Sequence, residues 1–478
     1  MPSFLARLRA AGSREPGAGN PILEGPVDRT LLGLSVPMIM AMVLVTAFGL
    51  VDMLYLGRYS REAMAAVSLS FPIAYLIHSI AGALGQGATS LVSRLIGGGD
   101  ERQLRNFLWH ALIVIGIFAA VITPLGLLLA PAALRRMGAE PGVTEGAILY
   151  TQVAFASSAF SLLPMVLNSL FRGEGDTIYP FKVMAVALAL NVVLDPLFIF
   201  GPGPFPEMGV AGAAVTTAVS FLFASLMVLR ELRNPRRRVR YDRAAWSWSP
   251  ALLRGWANVS APAFVANLSM PLSAYLITDM LAGYGTDAIA AFGAGTRLLS
   301  FVFLPTLGIS MSMMIMVGQN HGAGRRDRVR ETTLLTLRYA LILMGVLSLP
   351  VILFPAWSLR IFTDEPTVIA AGVGLARWVT LARPMLSIVN ITAFWFHAQG
   401  NGMMGMLPNF GMRVLLEPVG VWVGLKLGAL QGGWLGMAAA DLVGGVLCLA
   451  LLFWRLGAYM RDAPAPVRPA AAPGAPSR

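Results

Sequence analysis

The chain has 478 residues, of which 56% are hydrophobic and 13% charged, whereas about a quarter of a soluble domain is charged. Its mean hydropathy of +0.69 excludes an ordinary soluble enzyme. The formal charge of +12 raises nucleic acid as a partner, but the placement of the arginines argues against it.

Apolar runs of about 20 residues, each able to cross ~30 Å of hydrocarbon as a helix, recur along the chain. They lack the period-two alternation of a membrane barrel, so the expected fold is an all-α polytopic membrane protein. In chain order the twelve expected spans are 31–56, 65–92, 106–130, 146–170, 181–200, 209–230, 257–282, 288–318, 332–355, 368–396, 409–427 and 433–455. The expected organisation is an N-terminal segment 1–28, a first six-helix lobe 29–232, a basic linker 233–254, a second lobe 255–458 and a tail 459–478. The tail is rich in Ala and Pro and reads as disordered. No cleavable signal peptide is expected, because the first apolar run is too long for one and starts about 30 residues in. Cys448 stands alone, which rules out an intramolecular disulfide.

Arginines cluster in alternate connections: Arg7, Arg9 and Arg14; Arg94, Arg102 and Arg105; Arg230 to Arg243; Arg325 to Arg330; Arg455 and Arg461. This is the positive-inside pattern, which places both termini in the cytoplasm with an even number of crossings. The basic charge thus orients the chain among membrane lipids. No nucleic-acid partner is expected, and a monomer is. Trp246 and Trp248 in the linker read as interfacial anchors.

An internal repeat organises the chain. Ser35-Val36-Pro37 recurs as Ser260-Ala261-Pro262, Ala65-Ala66 as Ala290-Ala291, and Gly97-Gly98-Gly99 as Gly322-Ala323-Gly324, all at one spacing. Asn191 to Pro196 resembles Arg413 to Pro418 only if several residues are deleted between. Six spans per half make the repeats parallel, related by an axis along the membrane normal, with a binding site expected between them.

Two carboxylates interrupt apolar runs of the first half, Asp52 in the first span and Asp195 in the fifth. A charge at that depth costs roughly 2.5–3.5 kcal/mol even on a lenient insertion scale, and by default marks an ion or proton site. Asn191 and Asp195 are four apart and share a helix face. Pro196 leaves the carbonyl of Val192 without its helical donor. These oxygens suit a hard cation, so Na⁺ at Asp52, Asn191 and Asp195 is one expectation. A proton shared by two carboxylates away from water is the other. The plainer alternative is an Asp kept neutral for packing.

In the second half, Arg413 and Glu417 form an i,i+4 pair that can neutralise itself, with Glu417 a secondary candidate. Asp279 is near a helix end and within reach of interfacial water, while Asp441 and Arg297 could pair across helices or line a cavity. Met311, Met313, Met314 and Met316 read as gap fillers. His78, His110, His321 and His397 lack metal-ligand spacing. Without a Walker loop or a nucleophile elbow, neither an enzyme nor ATP-driven transport is expected, and no cofactor beyond a coupling ion.

The residues that carry a family resemblance are Pro37 with Leu50-Val51-Asp52, Gly87 to Arg94 running into Gly97-Gly98-Gly99-Asp100, Arg172 to Thr177, Asn191 to Pro196, and Gly209 to Thr217. Together they resemble the multidrug and toxic compound extrusion (MATE) family over residues 25–455. The resemblance implies two six-helix lobes that alternate in facing and export cationic or amphipathic organic compounds in exchange for H⁺ or Na⁺. It also implies that Asp52, Asn191 and Asp195 form a first-lobe cation site with Thr217 as a further ligand, and that Pro37 allows the first helix to bend. A second subgroup uses a helix-seven glutamate where this chain has Met270, so a second-lobe site of that kind is not implied. The rival readings are a flippase of lipid-linked saccharides, which would want basic residues in its cavity, and a passive channel.

Overall fold

The computed structural model describes residues 20–461, which form helices and turns without a strand. After a single helical turn at Pro21–Glu24 come α1 (Val27–Tyr59), α2 (Arg61–Gly97) and α3 (Glu101–Arg136). The first lobe is completed by a bent pair, α4a (Pro141–Ala156) and α4b (Ser158–Glu174), then α5 (Ile178–Phe200) and α6 (Val210–Glu231). The second lobe opens with α7 (Pro250–Ala282), α8 (Thr286–Gly322) and α9 (Arg326–Leu353), followed by α10 (Pro366–Ala398).

The stretch Gly402–Arg461 is helical throughout except at Gly428 and Ala429. A Cβ on Gly424 would lie 2.0 Å from the Gly432 carbonyl oxygen, and one on Gly420 2.4 Å from that of Gly436. The chain therefore doubles back at Ala429, whose φ is 50°, and forms two antiparallel helices, α11 (402–427) and α12 (430–461). With that hairpin and the bent α4 pair, the described residues contain the expected twelve spans.

Local chemistry sets the helix ends. Ser60 caps α2 by accepting from the Ala63 amide at 3.0 Å, and Asp100 caps α3 by accepting from Gln103. Gly99 and Gly324, at φ 76° and 70°, end α2 and α8 in the left-handed conformation that glycine adopts without penalty. The bend of 53° within α4 is a departure from the single span expected. There the Ser157 hydroxyl turns back to the Val153 carbonyl at 2.8 Å, and Thr123 of α3 donates to the freed Phe155 carbonyl at 3.0 Å.

The repeat is visible as a pseudo-two-fold contact. A Cβ on Gly97 would meet the Gln319 carbonyl at 2.0 Å, and one on Gly322 the Arg94 carbonyl at 2.3 Å. Under the spacing that relates Pro37 to Pro262, Arg94 and Gln319 are repeat partners, as are Gly97 and Gly322. Each contact is thus the image of the other, as a two-fold interface requires. Small residues here let α2 and α8 cross backbone to backbone.

Hydrogen bonds between the lobes, among the described residues, run from mid-helix to the arginine-rich end. They include Asn267 to the Ser79 carbonyl (3.3 Å), Gln86 to Asn267 (3.4 Å), Trp256 to the Leu84 carbonyl (2.9 Å), Ser90 to the His397 carbonyl (2.5 Å) and Gln319 to the Gly173 carbonyl (2.8 Å). No such bond lies on the far side of Ser79 and Asn267, and His78, one residue beyond, is exposed. The lobes are joined at the basic end and unjoined toward the other.

Helices cross the expected domain bounds at three places. α1 begins at Val27, inside the expected N-terminal segment, and Asn20 before it bonds to Gln319 of α8 at 2.8 Å. α7 begins at Pro250, inside the expected linker, whereas α6 ends at Glu231, within the expected first lobe. α12 continues to Arg461, so the expected tail is helical at 459–461, where Tyr459 takes part in a 2.8 Å hydrogen bond with His321. The rest of the tail and residues 1–19 lie outside the described residues.

Candidate functional site

α1, α5, α6 and α4a bring polar side chains together inside the first lobe. Asp195 and Asn191 are fully buried and Asp52 is 7% exposed. Asn191 Nδ2 donates to Asp195 Oδ1 at 3.0 Å, as their shared helix face requires. The Thr216 hydroxyl of α6 donates to the same oxygen. Asp52 faces Asp195, with Asn191 and Thr217 beside it, and Tyr150 of α4a lies close to both acids.

Four buried oxygens of this cluster have no hydrogen-bond partner: Asp52 Oδ1, Asn191 Oδ1, Asp195 Oδ2 and Thr217 Oγ1. No arginine or lysine among the described residues pairs with either acid. Buried polar atoms are normally paired, and a buried charge without compensation is costly. An all-oxygen set of two carboxylates, an amide and a hydroxyl fits a hard monovalent cation or a bound proton. Asp52 sits about two turns from the end of α1 opposite the basic end, on the side where the lobes are unjoined.

Two details differ from the sequence expectation. The Val192 carbonyl that Pro196 frees is not an open ligand oxygen, because the Tyr55 hydroxyl of α1 donates to it at 3.3 Å. In addition to Thr217, whose hydroxyl is unpartnered, the neighbouring Thr216 makes the direct bond to Asp195. Pro37 lies inside an unbroken α1. Two residues on, Ile39 packs against Gly308 of α8, where an added Cβ would be 2.9 Å from its amide nitrogen. The helix that carries Asp52 thus also touches the second lobe.

The second-half candidates have different fates. Arg413 Nη1 lies 3.2 Å from Glu417 Oε1, as their spacing implies. Asp441 does not meet Arg297, which is exposed. It pairs instead with Arg383 of α10 at 3.4 Å. Asp279 is exposed near the end of α7 and joins neither cluster. Arg383, which the sequence reading missed, interrupts the tenth apolar run just before Pro384, and the rule that singled out Asp52 and Asp195 would have found it. Met313, Met314 and Met316 are fully buried in the second lobe, as fillers are.

Comparison with known proteins agrees with this architecture. The chain belongs to the MATE family of membrane transporters. The family model MatE matches it twice, over residues 37–197 and 262–422, starting at Pro37 and at its repeat partner Pro262. It is similar to an FAD transporter of Shewanella oneidensis, 31% identical over 90% of this chain and 95% of that one. It is also similar to a probable multidrug resistance protein NorM of Thermotoga maritima, 28% identical over 91% of this chain and 94% of the relative. In fold it resembles a multidrug resistance MATE transporter in the outward-facing conformation, with TM-score 0.88 and 24% identity over 93% of this chain and 99% of that one.

Proposed function

We propose that this MATE transporter is a secondary antiporter, exporting small cationic or amphipathic organic compounds in exchange for H⁺ or Na⁺ taken up at Asp52 and Asp195. What carries the reading is the set of four unpartnered buried oxygens around two carboxylates with no basic partner. In this reading the basic end is cytoplasmic, both termini lie there, the membrane is the bacterial inner membrane, and the protein works as a monomer. The joined basic ends then make this the outward-facing state, with Asp52 near the entry side. A cation bound between α1 and α5 favours the facing state in which the carboxylates are close, and shifts the equilibrium by its differential affinity for the two states. Because α1 also packs on α8 at Gly308, rearrangement of α1 is transmitted to the lobe interface.

The test is efflux of a fluorescent cationic dye from proteoliposomes, with a pH step and a Na⁺ step imposed separately. Asp52→Asn and Asp195→Asn should each reduce gradient-driven efflux to the rate of protein-free vesicles at unchanged expression. Unaltered efflux in both would refute the assignment.

The Shewanella relative supports a second reading of the cargo, a flavin dinucleotide. Competition by FAD in the same dye assay separates the two, since a dye-specific cavity would be indifferent to it.

A further inference from the structure

The second lobe has a buried polar cluster that the proposed exchange leaves unused. It is built from Ser273 of α7, Arg383 of α10, Arg413 and Glu417 of α11, and Asp441 of α12. The first-lobe site draws on α1, α4a, α5 and α6, and the repeat carries those helices onto α7, α10, α11 and α12. The match extends to positions. Glu417 precedes Pro418 as Asp195 precedes Pro196, and Arg413 stands four residues before Glu417 as Asn191 does before Asp195. Under the spacing that relates Pro37 to Pro262, Asp441 occupies the place of Thr216.

Each lobe therefore holds two buried acids, of which one, Asp195 in the first and Glu417 in the second, is at a matching place while the other comes from a different helix, and the lobes differ in what lies between the acids. In the first lobe there is no basic group. In the second, Arg383 Nη1 lies 3.4 Å from Glu417 Oε1 and 3.4 Å from Asp441 Oδ2. Arg413 adds a contact of 3.2 Å to Glu417, and Ser273 donates to its other oxygen at 3.2 Å. Glu417 is 1% exposed and Asp441 not at all. Both Asp441 oxygens lack a hydrogen bond, so the guanidinium meets that acid by charge and not by a directed bond. Two carboxyl groups face two guanidinium groups, so this cluster holds its own counter-cations.

We propose that Arg383 is a tethered cation, held where an exchangeable one would sit, so that the coupling ion is taken up in the first lobe alone and the second-lobe cluster is a latent cation site. The inference rests on the reading of Asp52 and Asp195 as the exchanging pair. A covalently attached guanidinium cannot be released to either side of the membrane, as a bound ion can. The second lobe then has a fixed electrostatic state while the first cycles. Removal of Arg383 would leave Glu417 and Asp441 with Arg413 as their sole base, one charge short, and a proton or Na⁺ would be drawn in to replace it.

The test uses the purified full-length protein and reads its unfolding midpoint by tryptophan fluorescence, in Na⁺ against choline at equal ionic strength, and across pH. In an Asp52→Asn/Asp195→Asn background the midpoint should be insensitive to Na⁺ and to mild acidification. Adding Arg383→Gln should create a sensitivity, with the midpoint rising on Na⁺ addition or on acidification, as expected of a ligand that binds the folded state. Adding Asp441→Asn as well should abolish it. No new sensitivity in the Arg383→Gln protein overturns the proposal. If that protein does not fold, Asp441→Asn must rescue it, and failure of the rescue overturns the proposal equally. If the background responds to cations as the wild type does, the first-lobe reading fails, while the comparison with and without Arg383 still decides this one.

Discussion

Pro196 deprives the Val192 carbonyl of its helical donor, and Tyr55 of α1 supplies one at 3.3 Å. The bond ties the helix carrying Asp52 to the helix carrying Asp195, one turn from each acid. The same device recurs at Pro164, where Ser225 donates to the Phe160 carbonyl at 3.0 Å. Hydroxyls from neighbouring helices are the usual remedy for proline-freed carbonyls in a membrane. Interhelical bonds of this kind average about 0.6 kcal/mol and reach about 1.7. Tyr55→Phe should therefore destabilise the protein by that order, read as a lower unfolding midpoint in detergent, and should weaken gradient-driven efflux. A variant with wild-type stability and efflux would show the bond to be incidental. Asp52, Asn191 and Asp195 were legible in the sequence because each is polar at membrane depth. The part of Thr216 was not. Adjacent residues on a helix point about 100° apart, and the rotation of α6 that aims Thr216 at Asp195 is set by packing.

At the scale of elements, the linker between the lobes is clasped to the basic end of the first lobe. Arg237 lies 2.6 Å from Asp176 and 2.8 Å from Glu231, with Glu174 at 3.8 Å and the rings of Phe171 and Tyr179 beneath its guanidinium. Removing one partner of a buried ion pair typically costs about 3–5 kcal/mol. Arg237→Ala should lower stability toward that range in denaturant titrations, and a loss below about 1 kcal/mol, the value of an exposed pair, would mean the clasp is solvated. A second fastening is sensitive to pH. The Asp242 carboxylate, held below the usual range chiefly by its hydrogen bond from Arg105, also accepts from the Ala244 amide. A carboxylate whose folded value is depressed contributes stability above its unfolded value near 3.9, and loses it as pH falls through the folded value. Hydrogen exchange in 237–249 should therefore be slow at neutral pH and speed up below about pH 4 beyond the intrinsic change. The sequence marked this stretch as basic and flanked by tryptophans. Trp246 and Trp248 are indeed exposed, and they flank His110 at 5.3 and 5.6 Å. Which acids the arginines meet depended on the fold.

For the whole molecule, the joined basic ends and unjoined opposite ends define one of the two states an alternating carrier needs. Gln86 and Asn267 face each other across the lobes at 3.4 Å, and the native Cys448 is buried, so it would not compete for thiol reagents. A Gln86→Cys/Asn267→Cys pair joined by a short bifunctional thiol reagent should stop efflux, and cleavage of the linkage should restore it. Unimpeded transport by the cross-linked protein would exclude separation of the lobes at this level.

The sequence by itself determined the twelve spans, the parallel repeat and the presence of acids within apolar spans, because hydropathy and spacing are read along one dimension. Only the tertiary structure decided the bend in α4, the aim of Thr216, the pairing of Asp441 with Arg383 and the face on which the lobes meet. In a membrane both lipid and protein interior are apolar, so the hydrophobic pattern of a helix does not say which side turns inward. Close packing and the few polar bonds settle that, and they exist only once the helices are assembled.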